Sequence, residues 1–144
     1  MDGPSGRMCL HIRPISADPS HVVAVHTALI VDDDEDMRWL VRTTMDLSDE
    51  VDLLAEDVSG FDALERWLVG HHDLVVLDYR MPGVNGLDLA ETMIAERPEQ
   101  DVILFSAYLD DAAIRRAEAL GVRGVLSKDR VRDIPGIARL LFAG

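Results

Sequence analysis

From Val22 onward the apolar positions alternate between two periods. "VVAVHTALIV" (22–31) is β-branched and apolar, long enough for a buried strand. "DMRWLVRTTMDL" (36–47) then places Met37, Leu40, Val41, Thr44 and Met45 on one face at helical spacing. "VDLLAE" (51–56) predicts a second strand. Gly60 leads into "FDALERWL" (61–68), a helical stripe of Phe61, Leu64, Trp67 and Leu68. "DLVVLD" (73–78) is a near-continuous apolar run, as expected of a strand covered on both faces. A Pro82–Gly83 turn precedes "GLDLAETMIAER" (86–97), a helix closed by Pro98. "DVILFS" (101–106) is the fourth strand. "DDAAIRRAEALG" (110–121) is a helix with acids at its start and Gly121 at its end, matching the helix dipole and the glycine cap. "GVLS" (124–127) is the fifth strand and "DIPGIARLLFA" (133–143) the last helix.

Five strands alternating with five helices predict an α/β fold, a parallel sheet with helices on both faces. Residues 1–21, rich in Pro, Gly, Ser and His and without period, read as a flexible N-terminal arm with a short pairing segment around Leu10–Ile12. Residues 22–144 form one domain, and no internal repeat is present.

Composition narrows the function. Hydrophobic content of 48% and charged content of 28% describe a globular chain, and 144 residues suffice for one core. No apolar stretch approaches the roughly 20 residues of a membrane span, and the N-terminus has no secretory pattern. The single cysteine, Cys9, forms no internal disulfide, which suits a reducing cytoplasm. A net charge of −13 argues against a general nucleic-acid surface. The charge is uneven: residues 1–109 hold 22 acids and 7 bases, residues 110–144 hold 5 acids and 7 bases. The basic last third reads either as scattered surface arginines or as a docking face for an acidic partner. The five histidines show no zinc-type spacing and read as loop or packing residues.

The strand ends carry the candidate chemistry. The first strand ends in Asp32 and Asp33, the third in Asp78, the fourth in Ser106, and the fifth leads to Lys128, the only lysine beside 13 arginines. Ligands bind outside the carboxyl ends of strands in such sheets, so these groups converge if the sheet forms. Each has a plain alternative: the acids at 32–36 as helix caps, Asp78 as a turn residue, Ser106 as the cap of a loop, Lys128 as chance. The constellation, not any member, carries the inference. Two carboxylates at 4 Å repel by about 4 kcal/mol at an effective dielectric near 20, which a hard divalent cation would relieve. Asp78 is then a candidate carboxylate nucleophile, with Ser106 and Lys128 suited to an anionic group beside the metal.

These residues resemble the receiver domain of two-component response regulators, the CheY-like family. "LIVDDDEDMRWLV" resembles its first strand, acidic pair and first helix. "LVVLDYRMPGVNGLDL" resembles the phosphoacceptor strand and its D-x-x-M-P-G-x-x-G turn, and "VILFSA" and "GVRGVLSK" resemble the strands ending in Ser/Thr and Lys. The resemblance spans about residues 26–143. It implies a sheet of order 2-1-3-4-5, phosphorylation of Asp78 by a histidine kinase or phosphotransfer protein, and Mg²⁺ held by Asp33 directly, Asp32 mainly through water, Asp78 and the Arg80 backbone carbonyl. It further implies that Ser106 hydrogen-bonds the phosphoryl group and Lys128 pairs with it.

The departures from the family also bear on function. Asp129 replaces the proline that often follows the lysine, so the 128–129 peptide is expected trans. Val125 stands where many receivers carry a switching Tyr or Phe, leaving Tyr108 at the pocket mouth as a candidate switch or an exposed loop aromatic. Arg80 and Tyr108 occupy the positions that tune phosphoryl loss, which implies slow self-dephosphorylation. The Lys–Asp pair resembles NarL/LuxR-type receivers, although no helix-turn-helix segment follows in this sequence. The expected output is a protein target meeting the 107–144 face, through Arg115, Arg116, Arg123, Arg130 or Arg132, with a homodimer also open and no direct contact to nucleic acid or membrane. The competing readings are a phosphorylation-independent adaptor or oligomerisation module and a metal-dependent phosphohydrolase. The latter is disfavoured by Arg80 at the place of a second acid.

Overall fold

The computed structural model describes residues 12–14 and 22–143. Its main sheet has five parallel strands: β1 (His26–Val31), β2 (Leu53–Val58), β3 (Leu74–Leu77), β4 (Asp101–Ser106) and β5 (Gly124–Ser127), in the order β2-β1-β3-β4-β5. Five helices connect or follow them: α1 (Glu35–Asp46), α2 (Ala63–Gly70), α3 (Gly86–Glu96), α4 (Asp111–Leu120) and α5 (Ile134–Ala143). Two small antiparallel pairings stand outside this sheet, Ile12–Pro14 with Val22–Ala24 and Arg80–Met81 with Val84–Asn85. Among the described residues no helix is long and apolar enough to cross a membrane.

Alternate residues of each buried strand serve the two faces. Ala28 and Ile30 pack with Val41 and Met45 of α1 and Ile134 and Ala138 of α5. Leu29 and Val31 pack with Ala63 and Trp67 of α2 and Ala90 and Met93 of α3. Leu87 and Leu104 receive Ala113 and Ala117 of α4. A side chain as completely buried as Leu29 or Ile103 contributes about 1.5–3 kcal/mol. Helix starts follow the capping chemistry: Asp34 accepts from the N–H groups of Asp36 and Met37, Asn85 from Leu87 and Asp88, and Asp110 from Ala113. Gly121 closes α4 at φ 93°, as its position predicts.

The boundaries differ from the sequence reading where tertiary contacts override local pattern. The predicted first strand divides at Val25, Val22–Ala24 turning away to pair with Ile12–Pro14. The expected pairing segment therefore reaches Pro14, while residues 1–11 and 15–21 of the expected arm lie outside the described residues. β2 begins two residues later than expected, because His26 takes Leu53 as its register partner. The α1 stripe narrows, since Leu40 is exposed and Thr44 turns its hydroxyl back to the Leu40 carbonyl. In α2 only Trp67 of the expected stripe is fully buried; Leu68 is exposed, and Phe61 sits in a 3₁₀ turn (Gly60–Asp62) with its ring against Gly83. Helical periodicity counts apolar side chains without knowing how wide a strip the sheet can cover.

Candidate functional site

Strand register alone brings the key residues together. Val31 and Leu77 are partners in the β1–β3 ladder, so Asp32 and Asp78 are the next positions on adjacent strands. The ladder continues to that edge, with the Asp78 N–H donating to the Val31 carbonyl at 2.9 Å. Ser106 and Ser127 are partners in β4–β5, which delivers Lys128 to the same rim.

Lys128 Nζ lies 2.6 Å from Asp32 Oδ2 and 3.3 Å from Asp78 Oδ2. Asp32, Asp78 and Ser106 are all buried, while Lys128 is mostly so. Burial pushes the Asp78 carboxyl above its ordinary pKa, and the Asp32 charge adds to this; Lys128 and the Tyr79 N–H act the other way without cancelling it. Burial works against the Lys128 ammonium, but Asp32 and Asp78 more than compensate and raise its pKa. The cluster thus holds one cation against two carboxylates in a poorly solvated notch.

The remaining expected residues stand around this trio. Asp33 is half-buried and its Oδ1 accepts from the Gly60 N–H at 2.8 Å. Capping of α1 falls to Asp34, so neither Asp32 nor Asp33 is consumed as the helix cap. The Ser106 hydroxyl is engaged with the Tyr108 backbone, donating to its carbonyl and accepting from its N–H, both at 3.3 Å. The Tyr108 side chain is 79% exposed, and with Arg80 and Asp110 it lines a cavity of about 300 Å³. The Arg80 guanidinium rests over the Tyr79 ring at 5.1 Å. No cis peptide occurs among the described residues, so the 128–129 bond is trans as expected.

Two glycines and an arginine complete the site: Gly86 is the last glycine of the D-x-x-M-P-G-x-x-G turn, while Gly60 and Arg38 lie outside the strand-end pattern. A Cβ on Gly86 would lie 1.8 Å from the Asp78 carbonyl oxygen, and the Gly86 N–H bonds the Tyr79 carbonyl at 2.6 Å. α3 therefore begins directly beneath the phosphoacceptor candidate, and only glycine fits there. Gly60 donates to Asp33, and the Arg38 guanidinium reaches the Asp32 carbonyl at 2.6 Å. No local signal marks Arg38, because its target is a backbone atom.

The expected basic output face is reduced. Arg116 bridges Asp88 and Glu91 of α3, Arg123 bonds Asp101, and Arg130 bonds Asp133. Sequence-level charge counting misses these pairings because each partner lies on another element or one turn away.

The donor set suits magnesium in its usual sparse mode. Among the described residues no three His, Cys, Asp or Glu side chains gather as a metal cluster. Mg²⁺, however, needs only one or two carboxylates, water and a phosphate oxygen. Asp32, Asp33 and Asp78 offer hard oxygens on adjacent strand ends, and a divalent charge there would oppose the repulsion that burdens Asp78.

The sequence model of the response regulator receiver domain matches residues 28–135, and the chain belongs to that family. It is 36% identical over 115 residues to "Regulator of RpoS" of Escherichia coli, covering 80% of this chain and 33% of that one. It is 33% identical over 105 residues to "Probable transcriptional regulatory protein NarL" of Mycobacterium tuberculosis, covering 72% and 49%. A 30% match over 105 residues to "Transcriptional regulatory protein LnrK" of Bacillus subtilis covers 73% and 48%. The chain thus spans half or less of the length of these relatives. In structure it superposes on the signal receiver domain of the putative response regulator NarL from Mycobacterium tuberculosis with a TM-score of 0.70 at 28% identity, covering 83% of this chain and 98% of that one. A CheY-like receiver domain from Methanospirillum hungatei gives a TM-score of 0.73 at 19% identity, covering 83% and 96%, a likeness of fold.

Proposed function

We propose that this domain is a phosphoacceptor switch in the cytoplasm, in which Asp78 receives a phosphoryl group from a histidine kinase or phosphotransfer protein. The observation that carries the reading is the buried Asp32–Lys128–Asp78 cluster at the carboxyl edge of a receiver-type sheet. An Asp78 carboxylate oxygen attacks phosphorus, the donor's P–N bond breaks, and its electron pair stays on the imidazole nitrogen. Mg²⁺ bound by Asp33, Asp78, the Arg80 carbonyl and, through water, Asp32 would neutralise charge on the transferring group. Lys128, already poised at Asp78, then pairs with a phosphoryl oxygen.

Ser106 supplies the switch. Its hydroxyl is tied to the Tyr108 backbone, and redirecting it to the phosphoryl group would release the loop entering α4. Output follows through a protein target meeting the 107–144 face, where Arg115 and Arg132 keep their charge more available than the bridged Arg116. The relatives' names describe transcriptional regulators, while the reading for this domain is a protein target with no direct DNA contact. Arg80 and Tyr108, which line one cavity with Asp110, are bulky enough to hinder an attacking water, so the acyl phosphate persists for minutes or longer, and the domain acts as phosphoacceptor without a separate substrate to turn over.

The test is a small phosphodonor with Mg²⁺, followed by intact-protein mass spectrometry. Wild type gains one phosphoryl group and Asp78→Asn gains none. A wild-type protein that stays unmodified under these conditions hands the fold to the adaptor reading, and phosphoryl loss within seconds overturns the predicted persistence.

A further inference from the structure

Arg38 has no role in the chemistry above, yet it is better held than any other arginine near the site. Its side chain is only 16% exposed. Nε donates to Asp57 Oδ2 at 2.8 Å, and Nη1 donates to the Asp32 backbone carbonyl at 2.6 Å. Asp57 lies one residue before the end of β2, and its other oxygen takes Arg42 Nη1 at 2.7 Å. Burial opposes ionisation of Asp57, but Arg42 and Arg38 together outweigh it and hold the carboxyl below its usual pKa.

The contact to Asp32 falls where chain direction is decided. The Asp32 carbonyl shares a rigid peptide plane with the Asp33 nitrogen and Cα. Fixing that oxygen therefore fixes the direction from which the Asp33 side chain leaves. Two more bonds come from the same end of β2: the Val58 carbonyl accepts from the Asp32 N–H at 3.2 Å, and the Gly60 N–H donates to Asp33 Oδ1 at 2.8 Å. Residues 57–60 thus grip the acidic turn from three sides. One of the three requires a forked cation, since a single ammonium cannot present two donors in this fixed geometry.

We propose that Arg38, braced by Asp57, is a positioning residue that holds the Asp32–Asp33 turn ready for a divalent cation. The inference rests on the phosphoacceptor reading. It predicts a sign opposite to simple electrostatics. A guanidinium beside a cation site repels the cation, so its removal would tighten binding if charge alone mattered. If Arg38 acts by orienting the turn, its removal loosens binding. Substituting the partners that orient metal ligands commonly weakens affinity by about 10–100-fold.

The experiment is a Mg²⁺ titration of the whole chain, followed by the backbone amide NMR signals of Asp33 and Gly60, with phosphorylation rate measured in parallel against Mg²⁺ concentration. Arg38→Ala is expected to raise the half-saturating Mg²⁺ concentration on the order of tenfold by both readouts. Arg38→Lys, which keeps the charge and most of the stem, is expected to raise it as well, and it serves should the alanine variant fold poorly. Arg42→Ala removes a charge from Asp57 but touches neither acid of the turn, and should leave the midpoint unchanged or lower it. Unchanged or tighter binding in a folded Arg38 variant overturns the proposal, as does an equal loss in Arg42→Ala. A wild-type chain that binds no Mg²⁺ and takes no phosphoryl group brings down the phosphoacceptor reading itself.

Discussion

The two ends of the sheet distribute their polar groups differently. At the amino end Asp73 accepts from both the N–H and the hydroxyl of Thr27, at 2.8 and 3.4 Å. Gln100 is buried but fully engaged, taking the Trp67 indole N–H at 2.8 Å and donating to the carbonyls of Asp73 and Asp101. Arg97 stacks over the Trp67 ring at 4.2 Å and donates to carbonyls at the end of α2. The carboxyl end instead crowds Asp32 and Asp78 around one lysine, and burial leaves Asp78 reluctant to ionise. At the amino end most polar groups are paired, although the buried His72 Nδ1 has no hydrogen-bond partner among the described residues and burial holds the Asp101 carboxyl above its ordinary pKa despite Arg123. At the carboxyl end they are left in tension, which a cation and a phosphoryl group can resolve.

That contrast can be tested by substitution. The largest effect is expected at Gly86, where a methyl group would collide with the Asp78 backbone. Gly86→Ala should cost more than about 4 kcal/mol in urea unfolding, and what folds should accept phosphate poorly. A variant of near wild-type stability would show that α3 can withdraw from Asp78. Next, Gln100→Leu at the amino end strands the Trp67 indole N–H and should cost about 1–3 kcal/mol while phosphorylation of Asp78 proceeds normally. Loss of phosphoryl uptake in that variant would mean that the two ends are coupled.

The smallest effect reverses sign. In metal-free buffer Asp78→Asn should stabilise the fold by about 1 kcal/mol while abolishing phosphorylation. A carboxyl whose folded pKa lies above its unfolded one binds more protons when folded. Its contribution to stability therefore falls as pH rises from the unfolded pKa through the folded one. The stabilisation in Asp78→Asn should accordingly grow across that interval and vanish below it. Asp57 has the reverse linkage: its pKa is depressed in the fold, so it stabilises above the unfolded value and loses this as pH falls through the folded one. Thermal melts of both Asn variants across the acid range would check the two slopes, and parallel slopes would contradict the opposite shifts of Asp78 and Asp57.

The alternation of apolar runs and amphipathic segments was enough to determine the α/β class. The polar groups closing four runs were enough to nominate Asp32, Asp33, Asp78, Ser106 and Lys128, because in a parallel sheet every strand must end on the same rim. The chain could not disclose that Leu40 and Phe61 face solvent, that Asp34 rather than Asp32 caps α1, or that Arg116 is bound to α3. Nor could it disclose Arg38 on the Asp32 carbonyl or Gly86 against Asp78. Periodicity and motif spacing are local properties written into side-chain type. Contacts to backbone atoms and pairings between distant elements depend on how the layers come to rest against one another, which only packing decides.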